Sequence, residues 1–238
     1  MIILALDTCD SRGSVAVLRD EQVLKAIAHE GATEYSIWLL PAVEEALKSA
    51  RVEMRDVELF AVASGPGSFT GVRMGLTTVK AWSEVYGKGI ASVSRLEAMA
   101  SEAPLGSEYV AAFFDAHRNQ VYAGLYRRQG ATLGLVEEEL VAAPADFTSW
   151  AGRRVQKERV SWVSMDPEKM TSQAAWQEHV GAGECIAACS VVLAPAIGKI
   201  GRVRALEGRL TDVLKLDAEY VRRPDAEVYW KDPTLRGR

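Results

Sequence analysis

One stretch, Ser64-Gly65-Pro66-Gly67-Ser68-Phe69-Thr70-Gly71-Val72-Arg73-Met74-Gly75-Leu76, joins a strand-like run at Val57 to Ala63 to a helix-like run at Thr70 to Tyr86. Glycine accepts positive φ and lets other atoms approach the backbone closely, so this turn is expected to present free N–H groups at the start of a helix. An anion or another piece of protein would lie there, although a tight connection in an α/β domain also explains the pattern. The residues of this glycine-rich loop to which the expectation applies are Gly65, Gly67, Ser68, Thr70, Gly71 and Gly75.

The loop matches neither of two common nucleotide-binding signatures. Gly65 is not followed by four residues and then Gly-Lys-Ser or Gly-Lys-Thr, which argues against a P-loop. The glycines at 65, 67 and 71 depart by one residue from the dinucleotide spacing G-x-G-x-x-G. The loop therefore predicts neither a mononucleotide nor a dinucleotide site of these kinds.

The composition is that of an ordinary globular protein, with 238 residues, 48% of them hydrophobic and 25% charged, which suits one large domain or two small ones. A net charge of −4 provides no basic field that could hold nucleic acid without a partner. Three cysteines in a chain with no cleavable leader predict a reducing, cytoplasmic compartment, and no apolar run is long enough to span a membrane. Since Cys185 and Cys189 lack a second ligand pair, no metal site is predicted.

The first half of the chain is typical of a small α/β unit. Three short strands are followed by a helix that begins at an N-cap, Thr33, and that Pro41 would kink. The predicted strands lie at 2–6, 14–18, 23–29, 57–63 and 90–93, and the predicted helices at 33–50, 70–86 and 94–101.

Two of these helices offer more packing surface than one core contact requires. On the helix at 33–50 the apolar residues cover about twice the width of the apolar stripe by which a surface helix packs on one core. On the helix at 70–86 the small residues Gly71, Gly75 and Thr78 share one side. Packing inside the monomer would explain both features, but together they favour a helical interface with a second protein. On that interpretation Gly75→Leu or Leu39→Glu abolishes the complex and leaves the monomer folded.

The second half repeats the opening of the first. In both copies an aspartate ends a strand, Asp7 in the first and Asp115 in the second, and the next strand begins six or seven residues later. Further strands are predicted at 109–114, 121–126, 133–141, 160–165 and 218–223, and further helices at 144–151 and 191–206. The chain would comprise an N-terminal subdomain, 1–104, which carries the interface helices, a C-terminal subdomain, 105–223, and a tail, 224–238.

A strand that ends in aspartate, followed by a turn and a second strand, is how the sugar-kinase, Hsp70 and actin class places a carboxylate near a phosphate-bound metal. Asp7 and Asp115 fit that place, although an aspartate in a turn more often caps its own backbone. The sequence contains no Ser/His/Asp, Cys/His/Asn or paired-histidine arrangement, so no catalytic residue is predicted. Clusters of basic residues have acidic neighbours and are expected on a solvated face.

The segment from Gly65 to Gly75 resembles the signature of the bacterial TsaB (YeaZ) family, which takes part in making threonylcarbamoyladenosine in transfer RNA. The resemblance is strong over residues 1 to 126 and thin from 127 to 215. The supporting matches are Leu4-Ala5-Leu6-Asp7-Thr8, Ser36 with Leu39-Leu40-Pro41, Asp115-Ala116 with Val121-Tyr122, and Tyr220-Val221-Arg222.

The resemblance implies a duplicated actin-like, Hsp70-like α/β fold of the ribonuclease H-like type. It also implies a role as the non-catalytic partner of TsaD, the metal-binding transferase, with the ATPase TsaE joining the assembly. The chain alone would form homodimers through the same helical surface, and transfer RNA would be met only through the complex. No cofactor of its own is implied, but ATP or ADP would lie at the interface of the complex, with Asp7, Thr8 and Asp115 as the nearest positions.

The surface for TsaD would be built from the helices at 33–50 and 70–86. Its predicted contact residues are Tyr35, Ser36, Leu39, Leu40, Val43, Arg73, Met74, Thr77 and Lys80. Two other functions stay open. One is an enzyme, either a glycoprotease-like hydrolase or an actin-like small-molecule kinase, and the other is a self-sufficient RNA-binding module.

Overall fold

The computed structural model describes residues 1–29, 31, 33–130, 132–155, 158–174, 176–181, 184–218 and 221. Its strands are β1 (Ile2–Asp7), β2 (Ser14–Arg19), β3 (Gln22–Ala28), β4 (Leu59–Ala63), β5 (Gly89–Val93), β6 (Tyr109–Asp115), β7 (Val121–Gln129), β8 (Thr132–Leu135), β9 (Leu140–Ala142), β10 (Val160–Ser164) and β11 (Ile186–Ala188). Its helices are α1 (Tyr35–Ala50), α2 (Phe69–Tyr86), α3 (Arg95–Ser101), α4 (Pro144–Val155), α5 (Glu168–Thr171), α6 (Trp176–Gly181) and α7 (Ala194–Leu206), with a 3₁₀ turn at Met54–Asp56.

The first sheet has the strand order β3-β2-β1-β4-β5. β1 and β2 form an antiparallel hairpin, and β1 pairs with β4 in parallel. Helices cover both faces of this sheet, so β1, β2 and β4 are nearly continuous runs of buried apolar residues. Because side chains alternate along a strand, Val62 of β4 packs towards α2 and the neighbouring Ala61 packs towards α7.

The second sheet repeats this plan with the order β11-β10-β6-β7-β8, and β9 also pairs with β7. β6 and β7 form an antiparallel hairpin, while β6, β10 and β11 run parallel. The core beneath this sheet is aromatic, with Phe113, Phe147, Trp162 and Trp176 all buried. The repeated plan confirms the predicted duplicated actin-like, ribonuclease H-like fold.

The last described helix, α7, packs on the first sheet although it comes from the second half of the sequence. A Cβ atom placed on Gly201 would lie 2.8 Å from the Cβ of Ala61 and 3.2 Å from that of Ala91, so the helix lies very close to the sheet. The predicted subdomain at 105–223 is therefore not one packing unit. Residues 109–188 build the second sheet and its helices, and α7 returns to the first.

Several element boundaries differ from the prediction. Glu34, not Thr33, is the N-cap of α1, and the carbonyl of Thr33 instead lies against His29. The predicted strand at 133–141 is interrupted by the glutamates at 137–139 and forms β8 and β9. The predicted strand at 218–223 and the tail at 224–238 lie outside the described residues, apart from 218 and 221. Within the described part of the chain, no helix combines the length and the apolar character needed to cross a lipid bilayer.

Candidate functional site

The glycine-rich loop is filled by another segment of the same chain. The Ser68 N–H donates to the carbonyl of Cys9 at 2.5 Å, and a Cβ atom on Gly67 would lie 2.2 Å from that same oxygen. A Cβ atom on Gly71 would lie 2.1 Å from the carbonyl oxygen of Thr8. Close approach explains these glycines, and of the two groups that the sequence allowed, an anion or another piece of protein, the one that approaches is the backbone directly after β1.

The small side of α2 also faces the interior of the chain. Thr8 donates its hydroxyl proton to the Gly71 carbonyl at 2.7 Å, and a Cβ atom on Gly75 would lie 2.5 Å from Thr8 Oγ1 and 3.4 Å from Val62. The interpretation of Gly71 and Gly75 as part of a partner interface is therefore corrected. Gly75→Leu would force the core apart, so it could not leave the monomer folded.

The inner side of α1 belongs to the core as well. Leu39 is 2% exposed and Val43 is 3% exposed, and both pack in the cluster beneath the first sheet. A partner could not contact these two side chains without opening the core, which corrects their assignment to the surface. Leu39→Glu would bury an unpaired carboxylate, so its expected effect is unfolding rather than selective loss of binding.

The exposed sides of the neighbouring helices α1 and α2 form a candidate surface, here called the α1–α2 face. Two large apolar residues on α1 are well exposed, Ile37 at 66% and Leu40 at 58%, and Phe69 at the start of α2 is also exposed. The Arg73 guanidinium lies over the Phe69 ring, 3.8 Å from its centre. The face consists of Tyr35, Ser36, Ile37, Leu40, Phe69, Arg73, Met74, Thr77 and Lys80, each of which is partly or fully exposed. It thus retains seven of the nine predicted contact residues and adds Ile37 and Phe69.

A buried arginine lies at the carboxyl end of β1, where the two halves of the molecule meet, a region here called the cleft. Arg95, the first residue of α3, is fully buried, and its Nε donates to Asp7 Oδ2 at 3.0 Å while its Nη1 donates to Asp10 Oδ2 at 2.7 Å. Asp7 Oδ1 accepts the N–H of Cys9 at 2.9 Å, so both oxygens of this carboxylate are engaged. Burial by itself would raise the pKa of Asp10, but Arg95 and Arg12 hold that pKa well below its usual range.

The network of ion pairs extends from Asp10 through Arg12 to the second half of the molecule. Arg12, on the turn between β1 and β2, donates to Asp10 at 2.9 Å and to Asp166 at 2.6 Å. Asp166 follows β10 and accepts the backbone N–H of Asp115 at 2.9 Å. Asp115 in turn forms an ion pair with Lys169 at 2.9 Å. Asp7 and Asp115 therefore end equivalent strands, but each is held by a cation of this chain.

The start of α1 rests on the turn that carries these charges. Tyr35 donates its hydroxyl proton to the carbonyl of Asp10, and the ring of His29 lies against the carbonyl of Ser11. Burial raises the pKa of Tyr35 well above its usual value, with Asp7 and Asp10 adding to the effect, so the phenol keeps the proton that it donates. The turn at 10–13 thus contacts both the α1–α2 face and the cleft between the two sheets.

The arrangement offers a binding surface and a set of structural ion pairs. The Cys9 thiol is buried, and burial together with the nearby Asp7 carboxylate raises its pKa well above the usual value, which removes the thiolate that a nucleophile needs. Among the residues that the structure describes, no group of three or more histidine, cysteine, aspartate and glutamate side chains is placed to hold a metal ion. Sequence reasoning missed Arg12, Arg95 and Asp166, for which no local motif gives a signal.

A second concavity lies between α3, α7 and the β7–β8 hairpin, with a volume of ≈ 1550 Å³. Its lining mixes acidic and basic side chains, among them Glu97, Glu139, Lys199 and Arg204. Several of these are bonded to one another, since Arg204 pairs with Glu97 and Tyr126 donates to Glu139 at 2.5 Å. The lining therefore favours no single sign of ligand charge.

Comparison with known proteins gives consistent results. A family model described as TsaD, tRNA N6-adenosine threonylcarbamoyltransferase, matches residues 26–202. The chain is 32% identical over 159 residues to the tRNA threonylcarbamoyladenosine biosynthesis protein TsaB of Bacillus subtilis, which covers 67% of this chain and 68% of that protein. It is 29% identical over 236 residues to the protein of the same name from Escherichia coli, with 97% of each chain covered. The crystal structure of an uncharacterized Pseudomonas aeruginosa protein with similarity to peptidase YEAZ matches with a TM-score of 0.73 and 24% identity, over 93% of this chain and 99% of that one, and so shares the fold.

Proposed function

Because the chain belongs to the TsaB (YeaZ) family, we propose that it is a non-catalytic subunit of the machinery that makes threonylcarbamoyladenosine in transfer RNA. It binds the TsaD transferase through the α1–α2 face, and TsaE joins the same assembly in the cytoplasm. Transfer RNA is met only through this complex, since a net charge of −4 provides no basic field for RNA on this subunit alone.

The observation that carries the proposal is the exposed apolar surface of two adjoining helices. Ile37, Leu40 and Phe69 are large apolar residues that the chain itself leaves in water. Exposed polar residues such as Ser36 and Thr77 lie on the same two helices, and protein interfaces commonly combine apolar and polar residues of this kind. The stacked Arg73 and Phe69 pair adds the arginine and aromatic types that are enriched at such interfaces.

The ion pairs of the cleft support a role other than catalysis. In this conformation both oxygens of Asp7 are bonded to Arg95 and to the Cys9 N–H, so the carboxylate is not open to a metal-bound nucleotide. We therefore assign any ATP or ADP in the assembly to the interface between subunits and not to the cleft of this chain.

The same face would pair two copies when TsaD is absent. A homodimer buries the exposed apolar residues that TsaD otherwise covers, so the two assemblies exclude each other. Titration of the homodimer with TsaD should therefore give heterodimers and no larger species of both chains.

The proposal is tested with two charge substitutions and a matched control. Leu40→Glu and Ile37→Glu place a carboxylate at the centre of the face and should weaken binding to TsaD of the same organism by about tenfold or more, measured by isothermal titration calorimetry. The control is Leu105→Glu, an even more exposed leucine that precedes β6 and lies off this face. All three variants should keep the wild-type unfolding midpoint, because the three side chains are in solvent.

Two results would count against the proposal. Wild-type affinity in both Leu40→Glu and Ile37→Glu would remove the α1–α2 face as the binding site. The role as a subunit would be contradicted if TsaD and TsaE modify transfer RNA equally well without this chain. The non-catalytic role would be contradicted if the chain alone catalyses hydrolysis or phosphoryl transfer.

A further inference from the structure

Two helices cross between the halves of the molecule. α3, which follows β5 of the first sheet, packs on β6 and β7 of the second, and α7, which follows β11 of the second sheet, packs on the first. These helices also contact each other. The residues next to them are bonded as well, since the N–H of Ser190, before α7, donates to Glu102, after α3, at 2.8 Å. The crossing helices therefore form one joint between the halves.

Arg12 forms a second joint, at the carboxyl ends of the strands. Its Nη1 and Nη2 atoms donate to the two carboxylate oxygens of Asp166 at 2.6 Å and 3.1 Å. Two parallel hydrogen bonds of this kind are among the strongest contacts that arginine makes with a carboxylate. Because Arg12 lies between β1 and β2 and Asp166 follows β10, the pair connects the first sheet directly to the second.

Both members of this pair are held in position by their own half of the molecule. Asp10 accepts the backbone N–H of Arg12 at 2.5 Å and its Nη2 at 2.9 Å. Asp166 accepts the N–H of Asp115 at 2.9 Å, and its own N–H donates to Ser164 Oγ at 2.9 Å. Since these bonds already restrict both side chains, little further side-chain entropy is lost when the pair forms.

The pair also differs from the buried contact beside it. The side chains of Arg95 and Asp7 have no exposed surface, whereas that of Arg12 is 31% exposed and that of Asp166 is 14% exposed. Separating Arg95 from Asp7 would leave charges in the interior, which is costly. Water can reach Arg12 and Asp166 instead, so this pair is the contact between the halves that can break and form again.

The turn that carries Arg12 supports the first residue of α1. Tyr35 donates its hydroxyl proton to the carbonyl of Asp10, and a Cβ atom on Gly13 would lie 2.8 Å from the Cζ atom of the Tyr35 ring. The ring thus lies directly on the backbone of the turn. A displacement of the turn would therefore displace the start of the α1–α2 face.

We propose that the Arg12–Asp166 pair is a latch that holds the two halves closed and couples their closure to the α1–α2 face. When the pair breaks, the halves turn about the crossing helices, and the turn at 10–13 moves relative to Tyr35. Because coupling between two sites is reciprocal, a partner on the face would favour closure, and closure would favour the partner. The effect on the halves stands by itself, whereas the effect on partner binding rests on the function proposed above.

The first test measures the distance between the halves by double electron–electron resonance. Spin labels are attached at exposed positions of α1 and α4, through Lys48→Cys and Ser149→Cys, in a chain that also carries Cys185→Ser and Cys189→Ser. Unlabelled chain is added in excess, so that pairs of copies do not contribute. We expect a single distance with the latch intact. Arg12→Gln should add a second distance, with the ratio of open to closed molecules raised about tenfold or more.

Two further variants separate the latch from a general loss of charge. Arg154→Gln breaks a pair of similar length and exposure, 2.7 Å to Glu137, that lies within the second half, and it should keep the single distance. Asp166→Asn, alone or together with Arg12→Gln, should give the same open fraction as Arg12→Gln, because each removes the same contact. A single unchanged distance in Arg12→Gln, or an open fraction that rises further in the double variant, would overturn the latch.

The second test measures binding to TsaD of the same organism by isothermal titration calorimetry. Arg12→Gln should bind about fivefold or more weakly than the wild type, and Arg154→Gln should bind equally well. Saturating TsaD should also return the spin-labelled Arg12→Gln chain to the single distance. Wild-type affinity in Arg12→Gln would overturn the coupling to the face. Absence of TsaD binding by the wild type would instead contradict the proposed function and leave the distance measurement unaffected.

Discussion

Arg95→Met tests whether the buried ion pair with Asp7 stabilises the cleft between the two sheets. Arg95 has no exposed surface and lies 3.0 Å from Asp7, which is equally buried. Methionine fills much of the same space but leaves the Asp7 carboxylate in the interior without a cation. Breaking a buried pair in this way costs about 3–5 kcal/mol. Asp10 keeps its second partner, Arg12, at 2.9 Å, so the loss is concentrated on Asp7.

The expected loss is large enough to measure by calorimetry. For a chain of this size about 1 kcal/mol shifts the unfolding midpoint by about 2–4 °C, so Arg95→Met should lower it by about 6–20 °C. The matched control is Arg127→Met, which breaks an ion pair of similar length, 2.7 Å to Glu108, on an exposed part of β7. That control should leave the midpoint unchanged, because water and salt screen exposed pairs.

A double variant separates the buried charge from the lost packing. Asp7→Asn in the Arg95→Met chain removes the unpaired carboxylate and should restore most of the lost stability. Equal unfolding midpoints for Arg95→Met and Arg127→Met would refute a stabilising role of the buried pair. It is also refuted if the double variant is no more stable than Arg95→Met alone, because the penalty would then not come from the charge of Asp7.

Two further predictions concern packing and acid stability. Gly75→Ala should lower the midpoint of thermal unfolding, measured by circular dichroism, because the new Cβ would lie 2.5 Å from Thr8 Oγ1. The control is Gly152→Ala in α4, where a Cβ meets nothing within 4 Å. Its midpoint should be unchanged or slightly higher. Equal midpoints for the two variants would argue against the close contact. Since the pKa of Asp10 is lowered in the folded chain, its stabilising effect is complete above the unfolded pKa, about 4, and is lost as the pH falls towards the folded value. The free energy of unfolding measured with urea should therefore fall more steeply below about pH 4 in the wild type than in Asp10→Asn. The same pH dependence of this free energy in both proteins would contradict the role assigned to Asp10.

The sequence predicts the need for close approach at the glycine-rich loop but not the group that approaches. The spacing of Gly67, Gly71 and Gly75 is a local feature, and the helix that the pattern places at 70–86 is observed at Phe69–Tyr86. The atoms that fill the space belong to Thr8 and Cys9, some sixty residues earlier in the chain. A contact over that separation is set by the register of the whole sheet, which no local pattern reveals.

On the helix surfaces, too, the local pattern predicts one property and only the tertiary fold decides the other. Helical periodicity correctly indicates that α1 has more apolar residues than one contact needs, yet it cannot tell which stripe faces the sheet. The structure buries Leu39 and Val43 and exposes Ile37 and Leu40. The repeated order of strand, aspartate and strand was sufficient to predict the duplicated fold. The TsaB family assignment, predicted from the residues alone, is confirmed.

The ion pairs of the cleft were beyond sequence reasoning for a different reason. Asp7 was recognised by its position at a strand end, but its partner Arg95 lies at the start of a short helix with no motif around it. Charged residues are common, and only the fold decides which of them meet in the interior. Asp7 fits a phosphate site by its position, but Arg95 and the Cys9 N–H bond both of its oxygens, the second contact being the backbone cap that is the commoner role of such an aspartate.

The return of α7 to the first sheet has a consequence for how the protein is made. The side of that sheet that carries Ala61 and Ala91 stays uncovered during translation until residues 194–206 have left the ribosome. The amino-terminal half is thus translated early but completed late, and a fragment ending at residue 104 would present a bare apolar sheet to water. The first sheet of this duplicated molecule is therefore not an independent module, because the helix that covers one of its faces comes from a distant part of the sequence.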